Sequence, residues 1–197
     1  MLSSKFPKAP IPWGLLLIEA VLVVLSVLLA LGLNSWRENR LNTELSHRAL
    51  NSIATEFSAN CSRIQNILPY HREVANENEQ PNGLQIGLIR NDAWESARST
   101  GAAAHIDYET ASLIGQIYAS QRDHRTLFQS YIEALFSDIS NTGVIEEIHG
   151  TLDIVVIREL VRIQERLLEL YSHLEETVHR EYGSDFGERF SCSGKDR

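Results

Sequence analysis

An uninterrupted apolar segment at residues 11–33 most constrains what this chain can fold into. Its 23 residues include one charged side chain, Glu19. As a helix rising 1.5 Å per residue it extends roughly 34 Å, enough to cross a hydrocarbon core of about 30 Å. Trp13 lies near the start of the segment and Trp36 just after its end, as expected for indoles at two membrane interfaces. The segment therefore predicts a transmembrane helix over residues 11–35.

A cleavable signal peptide is the alternative interpretation of this segment, because Ala30-Leu31-Gly32 offers small residues at a suitable cleavage position. The apolar core of a signal peptide is about 7–15 residues long, which is shorter than this segment. The helical pattern also continues through Arg37 without a break. We therefore favour an uncleaved anchor.

One face of the predicted anchor carries small and polar side chains on an otherwise Leu- and Val-rich helix. Small residues permit close helix approach, and polar residues can hydrogen-bond across the contact. An ionised carboxylate in hydrocarbon costs about 3 kcal/mol, so Glu19 either meets a partner or extends toward the nearer headgroups. We favour contact with a second copy or with another membrane protein, through Glu19, Ser26, Ala30 and Asn34.

The remainder of the chain predicts an all-α fold, in which the transmembrane helix continues into an antiparallel helical bundle. Apolar residues recur at three- and four-residue steps in three long segments, and no strand pattern of useful length competes with them. We expect the first helix to reach about Leu68 and Pro69 to end or kink it. The predicted domains are a short tail at 1–10, the anchor at 11–35, the bundle at 36–182 and a flexible tail at 183–197.

Helix starts are marked by acidic residues. Asp92 with Glu95 three residues later predicts a capping box at the start of a short helix. Asp107 predicts the cap of the long helix that follows.

The charge balance narrows the possible partners. The chain has 26 acidic and 18 basic residues, and only Lys5 and Lys8 among the basic ones precede the apolar segment. Binding to nucleic acid depends on neutralising phosphates, which this acidic domain does not favour. We therefore expect the lipid bilayer and other proteins as partners, and no nucleic acid.

The two cysteines do not decide which cellular compartment the domain occupies. Cys61 and Cys192 allow one disulfide if the domain lies in an oxidising compartment. Cys61 also falls on an apolar helical stripe, where a free cysteine packs as a small hydrophobe. We favour two unpaired thiols.

Two blocks of sequence resemble a group of uncharacterised bacterial single-pass membrane proteins. The first is the anchor pattern from Glu19 through Val23-Val24, Val27, Ala30, Asn34 and Trp36 to Glu38 and Arg40. The second is the run Ala93 to Ala102, followed by Asp107-Tyr108-Glu109. Ser26 stands where related sequences often have Gly. The resemblance implies a bacterial inner-membrane location and brings no established activity.

Motifs for catalysis are not found in the sequence. It contains no phosphate-binding glycine loop, no Gly-x-Ser-x-Gly and no Cys-x-x-Cys. Glu176-x-x-His179 has the spacing of a di-iron motif, but such a site needs two copies, so we expect a solvated charged face and neither a metal nor a cofactor. We predict that the protein is not an enzyme.

Two groups of polar residues are candidate binding positions. Gln121 and His124 fall within the apolar stripe of one helix, where buried polar groups hydrogen-bonded to each other or across the bundle are favoured over a ligand site. Trp94, Arg98, Asp107 and Tyr108 form the densest set of specific residue types and are a possible ligand or partner region.

Two functions of different class follow from these observations. The first is a membrane-anchored interaction or scaffold protein without catalytic activity, which associates with itself or with another membrane protein. The alternative is a ligand-sensing extracytoplasmic helical bundle. Basic residues on the two sides of the anchor are nearly balanced, and we slightly favour a periplasmic domain.

Overall fold

The computed structural model describes residues 13–76, 87–142 and 149–192, so the predicted tail at 1–10 lies outside it. These described ranges contain helices and no strand, which confirms the predicted all-α fold. The helices are α1 (Trp13–Ala75), α2 (Asp92–Ser99), α3 (Tyr108–Thr142), α4 (His149–Tyr182) and the single turn α5 (Ser184–Gly187). Two 3₁₀ turns, Ala102–His105 and Glu188–Phe190, complete the described elements.

The chain divides into two units, Met1–Glu44 and Leu45–Arg197, and α1 contributes to both. In the first unit, α1 is long and apolar enough to cross a membrane, and no other described helix is. The second unit is the bundle. Residues 36–44, which we assigned to the bundle from the sequence, belong to the first unit because their side chains lie outside the core.

Three long helices supply the core of the bundle, as their apolar periodicity predicted. Phe57 of α1 contacts Tyr118 of α3 and Tyr171 of α4, with ring centroids 5.4 and 5.1 Å apart. These aromatic contacts join one point on each long helix. Around them pack the fully buried aliphatic side chains Leu50, Ile53, Ile64, Ile114, Ile117, Leu167 and Leu174.

Of the two outcomes predicted at Pro69, an end of the helix is wrong, because α1 continues through this residue to Ala75. Proline inside a helix removes one hydrogen bond and costs about 3 kcal/mol. Here the turns after Pro69 bury Val74 against Ile157 of α4. Arg158 of α4 also donates from Nε to the Ala75 carbonyl oxygen at 3.0 Å, which pairs an acceptor at the helix end. These tertiary contacts offset the cost of the proline.

The cap of α2 differs from the predicted capping box. Asn91 precedes the helix and makes no side-chain capping bond, and Asp92 is its first residue. The backbone N–H groups of Asp92 and Ala93 instead donate to Oε2 of Glu56 on α1, at 2.9 and 3.1 Å. A carboxylate 36 residues away supplies the cap, which a local pattern cannot reveal. The Asp107 cap is confirmed, since its Oδ2 accepts from the Thr110 N–H at 3.0 Å.

The prediction of a flexible tail after Tyr182 is wrong for the residues that the structure describes, up to 192. Gly183 has φ +90°, a left-handed conformation that turns the chain back after α4. A Cβ at Gly187 would lie 2.8 Å from Cβ of His179, so only glycine permits this close approach. The returning segment buries Phe186 and Phe190 in the main core.

A disulfide between Cys61 and Cys192 fixes the returning segment to α1, with 5.5 Å between the two Cα atoms. The expectation of two unpaired thiols is therefore wrong. The apolar stripe correctly placed Cys61 in the core, but it could not show that the chain folds back and brings Cys192 beside it.

Candidate functional site

The anchor face predicted from the sequence lies on the first part of α1. Every side chain that the structure describes between Trp13 and Arg40 is exposed, including those of Glu19, Ala30 and Asn34. Ser26 donates its hydroxyl to the Leu22 carbonyl oxygen at 2.7 Å, so its donor is used within the helix. Glu19 and Asn34 are thus the side chains on this face that offer polar groups outward.

The residues of the second predicted region, Trp94, Arg98, Asp107 and Tyr108, have different roles in the structure. Trp94 is half-buried and stacks on Tyr118, and its backbone N–H donates to the Tyr118 hydroxyl at 3.2 Å. Asp107 caps α3, and its hydrogen bonds to backbone N–H groups, first that of Thr110, hold its pKa below the usual value. Packing and capping therefore account for these two residues.

Arg98 and Tyr108 remain available at the surface. Arg98 is exposed and pairs with Glu95 at 3.5 Å, a contact of little energetic weight at that exposure. Tyr108 is 86% exposed at the start of α3. Neither residue lines the two cavities described below, so the ligand or partner role of this region stays a prediction.

A layer of buried polar side chains crosses the bundle. At one point of the layer, Tyr118 donates its hydroxyl to Oε1 of Glu56 at 2.5 Å, and burial together with this carboxylate raises the pKa of Tyr118. At another, Gln121 donates from Nε2 to the Tyr171 hydroxyl at 2.9 Å. Burial raises the pKa of Tyr171 as well, so both phenols stay protonated.

Two buried histidines form the end of this layer through a shared glutamine. Oε1 of Gln164 lies 3.0 Å from Nδ1 of His71, and Nε2 of Gln164 lies 3.4 Å from Nε2 of His124. Burial, with the nearby His71 as a second cause, lowers the pKa of His124 to about 4. His124 is thus neutral at pH 7, and because Nε2 accepts from the amide, its proton lies on Nδ1. The predicted core polar groups are confirmed, and of the two predicted arrangements Gln121 and His124 adopt the one in which they bond across the bundle.

His124 also lines a cavity of about 360 Å³ at the side of α3. Its Nδ1 has no hydrogen-bond partner in the described part of the chain. Among the described residues, the fully enclosed side-chain polar atoms without a partner are Oγ1 of Thr110 and Thr177 and Oε1 of Gln121. Nδ1 of His124 is not one of them, so it retains some solvent access at a residue that lines the cavity. The other lining residues are Gly87, Leu88, Ile89, Arg125, Phe128 and Gln129.

Arg125 is held in a fixed position at this cavity. Its Nη2 donates to Oδ1 of Asn91 at 2.7 Å and to the Ile89 carbonyl oxygen at 3.4 Å. These bonds leave Nε and Nη1 without a protein partner among the described residues. Sequence reasoning identified His124 but missed Arg125 and the 87–89 segment, because no periodic signal places an irregular segment beside a helix.

A second cavity of about 430 Å³ lies beside Glu56. The buried carboxylate of Glu56 already accepts from two backbone N–H groups and one hydroxyl, so its role there is structural. The seven other lining residues are Ser52, Thr55, Ala59, Arg90, Asp92, Ala93 and Ser96.

Metal ligands are not grouped in the described ranges, where no three His, Cys, Asp or Glu side chains come together. His173, Glu176 and His179 lie exposed on α4.

In comparisons with known proteins, no family model, no curated protein and no solved structure matches the chain.

Proposed function

We propose that this protein is a single-pass protein of the bacterial inner membrane whose helical domain works by association and not by catalysis. The domain lies in the periplasm, and the anchor binds a second copy or another membrane protein. The bacterial inner membrane is what the resemblance of the anchor pattern implies.

The exposure of the anchor face is the observation that carries this proposal. Glu19 and Asn34 present polar groups from an apolar helix and find no buried environment in the first unit. In hydrocarbon, a polar side chain is stabilised when it hydrogen-bonds to a neighbouring helix, and the small side chain of Ala30 permits the close approach that this requires. Lateral association supplies such a neighbour.

The disulfide supports the periplasmic orientation. Disulfides persist in the bacterial periplasm and are rare in the cytosol, where thiols are kept reduced. A Cys61–Cys192 bond therefore fits a domain on the oxidising side of the membrane. In that arrangement Lys5 and Lys8 lie on the cytoplasmic side and Arg37, Arg40 and Arg48 on the other, so the basic residues are nearly balanced and the disulfide carries the orientation.

Photo-cross-linking of the full chain in native membranes tests the association. A photoreactive residue at Val23, in helical phase with Glu19, should give a discrete cross-linked species, either a dimer or an adduct with another membrane protein. The same probe at Leu28, on the opposite face, is the matched control and should give little product. Glu19→Leu and Ala30→Leu should each weaken the Val23 cross-link, and Val21→Leu should leave it unchanged.

Equal cross-linking from positions 23 and 28 would contradict a specific face. An unchanged Val23 product in both the Glu19→Leu and Ala30→Leu variants would show that these side chains do not contribute to association. Immunoblotting against the chain distinguishes self-association from an adduct with a different protein.

A further inference from the structure

We propose that the cavity between the 87–89 segment and α3 is a binding site for a small carboxylate that carries an apolar group, such as one ring or a short branched chain. This inference goes beyond the proposed function and does not depend on it, because it rests on residues of the bundle alone. It would make the domain responsive to a ligand.

The size and walls of the cavity suit a small organic molecule. Its volume of about 360 Å³ lies within the range of small-molecule pockets, which is about 300–1,000 Å³. Leu88, Ile89 and Phe128 provide apolar surface, and Leu88 retains 74% exposure. A ligand in contact with Leu88 would remove this apolar surface from water, which favours binding.

The polar groups at the cavity favour an anion. Arg125 carries a positive charge and keeps two unpaired donors, Nε and Nη1. These donors lie on different edges of the guanidinium, so each can give a separate hydrogen bond to an anion. His124 offers the N–H of Nδ1. None of the seven lining residues is acidic, although acidic residues outnumber basic ones in the chain.

Both donors are oriented before any ligand arrives. The bonds of Nη2 to Asn91 and Ile89 fix the guanidinium of Arg125. The contact with Gln164 fixes the ring of His124, and Gln164 is itself placed by His71. Because little side-chain entropy remains to be lost, this preorganisation favours binding. A single guanidinium with one neutral N–H donor fits a carboxylate monoanion better than a phosphate dianion.

Calorimetry on the full-length protein in detergent micelles tests the site with phenylacetate as the probe. We expect saturable binding of phenylacetate, and at least tenfold weaker binding of phenylacetamide, which has the same shape without charge. Acetate, which lacks the ring, should also bind more weakly. Inorganic phosphate that binds as tightly as phenylacetate would overturn the carboxylate assignment, and absence of phenylacetate binding would overturn the site.

Variants connect the binding to this cavity. Arg125→Gln should weaken phenylacetate binding about tenfold or more, since a hydrogen bond to a charged group is lost. Arg122→Gln, the same change one turn earlier on an exposed part of α3, is the matched control and should alter binding less than twofold. Gln129→Glu adds a like charge at an exposed lining position with little risk to folding, and it should weaken binding to a similar extent. Unchanged affinity in Gln129→Glu would overturn the proposal even if Arg125→Gln failed to fold.

Discussion

The carboxylate of Glu56 connects three helices through hydrogen bonds from one buried side chain. From α1 it accepts the hydroxyl of Tyr118 on α3 and two backbone N–H groups at the start of α2. The Tyr118 hydroxyl in turn accepts from the Trp94 N–H. The bonds of Glu56 to the Tyr118 hydroxyl and to the Ala93 N–H are buried, so the loss of Glu56 or Tyr118 leaves a buried partner unpaired.

Glu56→Gln is therefore expected to lower the free energy of unfolding by about 1–3 kcal/mol. The NH₂ group of glutamine would replace one accepting oxygen of the carboxylate and would face an N–H or O–H donor. Tyr118→Phe should cost a similar amount. The double variant should lose less than the sum of the two, since both changes remove the same hydrogen bond. Chemical unfolding followed by circular dichroism measures these values.

Glu176→Gln, at an exposed position on α4, is the control for the change of charge and should cost less than 0.5 kcal/mol, a typical limit for surface substitutions. If the Glu56 and Glu176 variants were equally stable, the bridging role of Glu56 would be contradicted.

At the scale of elements, the long helices follow directly from the sequence, whereas their ends and attachments do not. Residues such as Ile114 and Leu167 recur at helical steps, and this local signal survives in any bundle. The Glu56 cap joins residues 36 apart, and the disulfide joins residues 131 apart. Pairing over such distances depends on how the chain folds back. Hydrophobic periodicity is a local signal and does not show which distant residues meet.

The candidate cavity also combines one residue that the sequence identifies with others that only the tertiary fold reveals. His124 was identifiable because a polar residue interrupts an apolar stripe on α3. Arg125 points to no function in the sequence, because an arginine on a helix surface is ordinary. It becomes notable only when the 87–89 segment lies beside it.

Removal of the disulfide by Cys192→Ser is expected to lower the free energy of unfolding by about 2–4 kcal/mol. In the chain-entropy account, closing a loop of 131 residues gives an upper value of about 5 kcal/mol. Thermal unfolding with and without reductant measures the effect. The wild type should melt roughly 5–10 °C lower in reductant, and the variant should show no further change.

Thiol labelling of the unfolded chain provides the control. Protein purified from membranes should take up a maleimide only after reduction. Labelling of both cysteines without reductant would contradict the Cys61–Cys192 bond.

At the scale of the whole molecule, the chain has one unit without buried described side chains and one with a closed core. The apolar segment and the periodic helices differ in pattern, so the sequence separates an anchor from a bundle, although it placed residues 36–44 with the bundle. It favours a periplasmic bundle only slightly, since the basic residues beside the anchor are nearly balanced.

Reporter fusions after Arg197 should resolve the orientation. We expect activity from a reporter that folds only in the periplasm and no signal from one that works only in the cytoplasm. Deleting residues 11–35 should reverse both results, which controls for the fusions themselves. A cytoplasmic signal from the intact chain would contradict the periplasmic placement.

The Cys61–Cys192 bond can form only late in the synthesis of the protein. Cys192 is synthesised 131 residues after Cys61, which at about 5–20 residues per second is a delay of roughly 7–26 s. During that interval the thiol of Cys61 has no native partner and is open to exchange with other thiols. The bond can close only after α4 has emerged and the chain has turned back at Gly183. Locking of the domain is therefore a late event in its biosynthesis, and a nascent chain halted within α4 carries an unprotected cysteine.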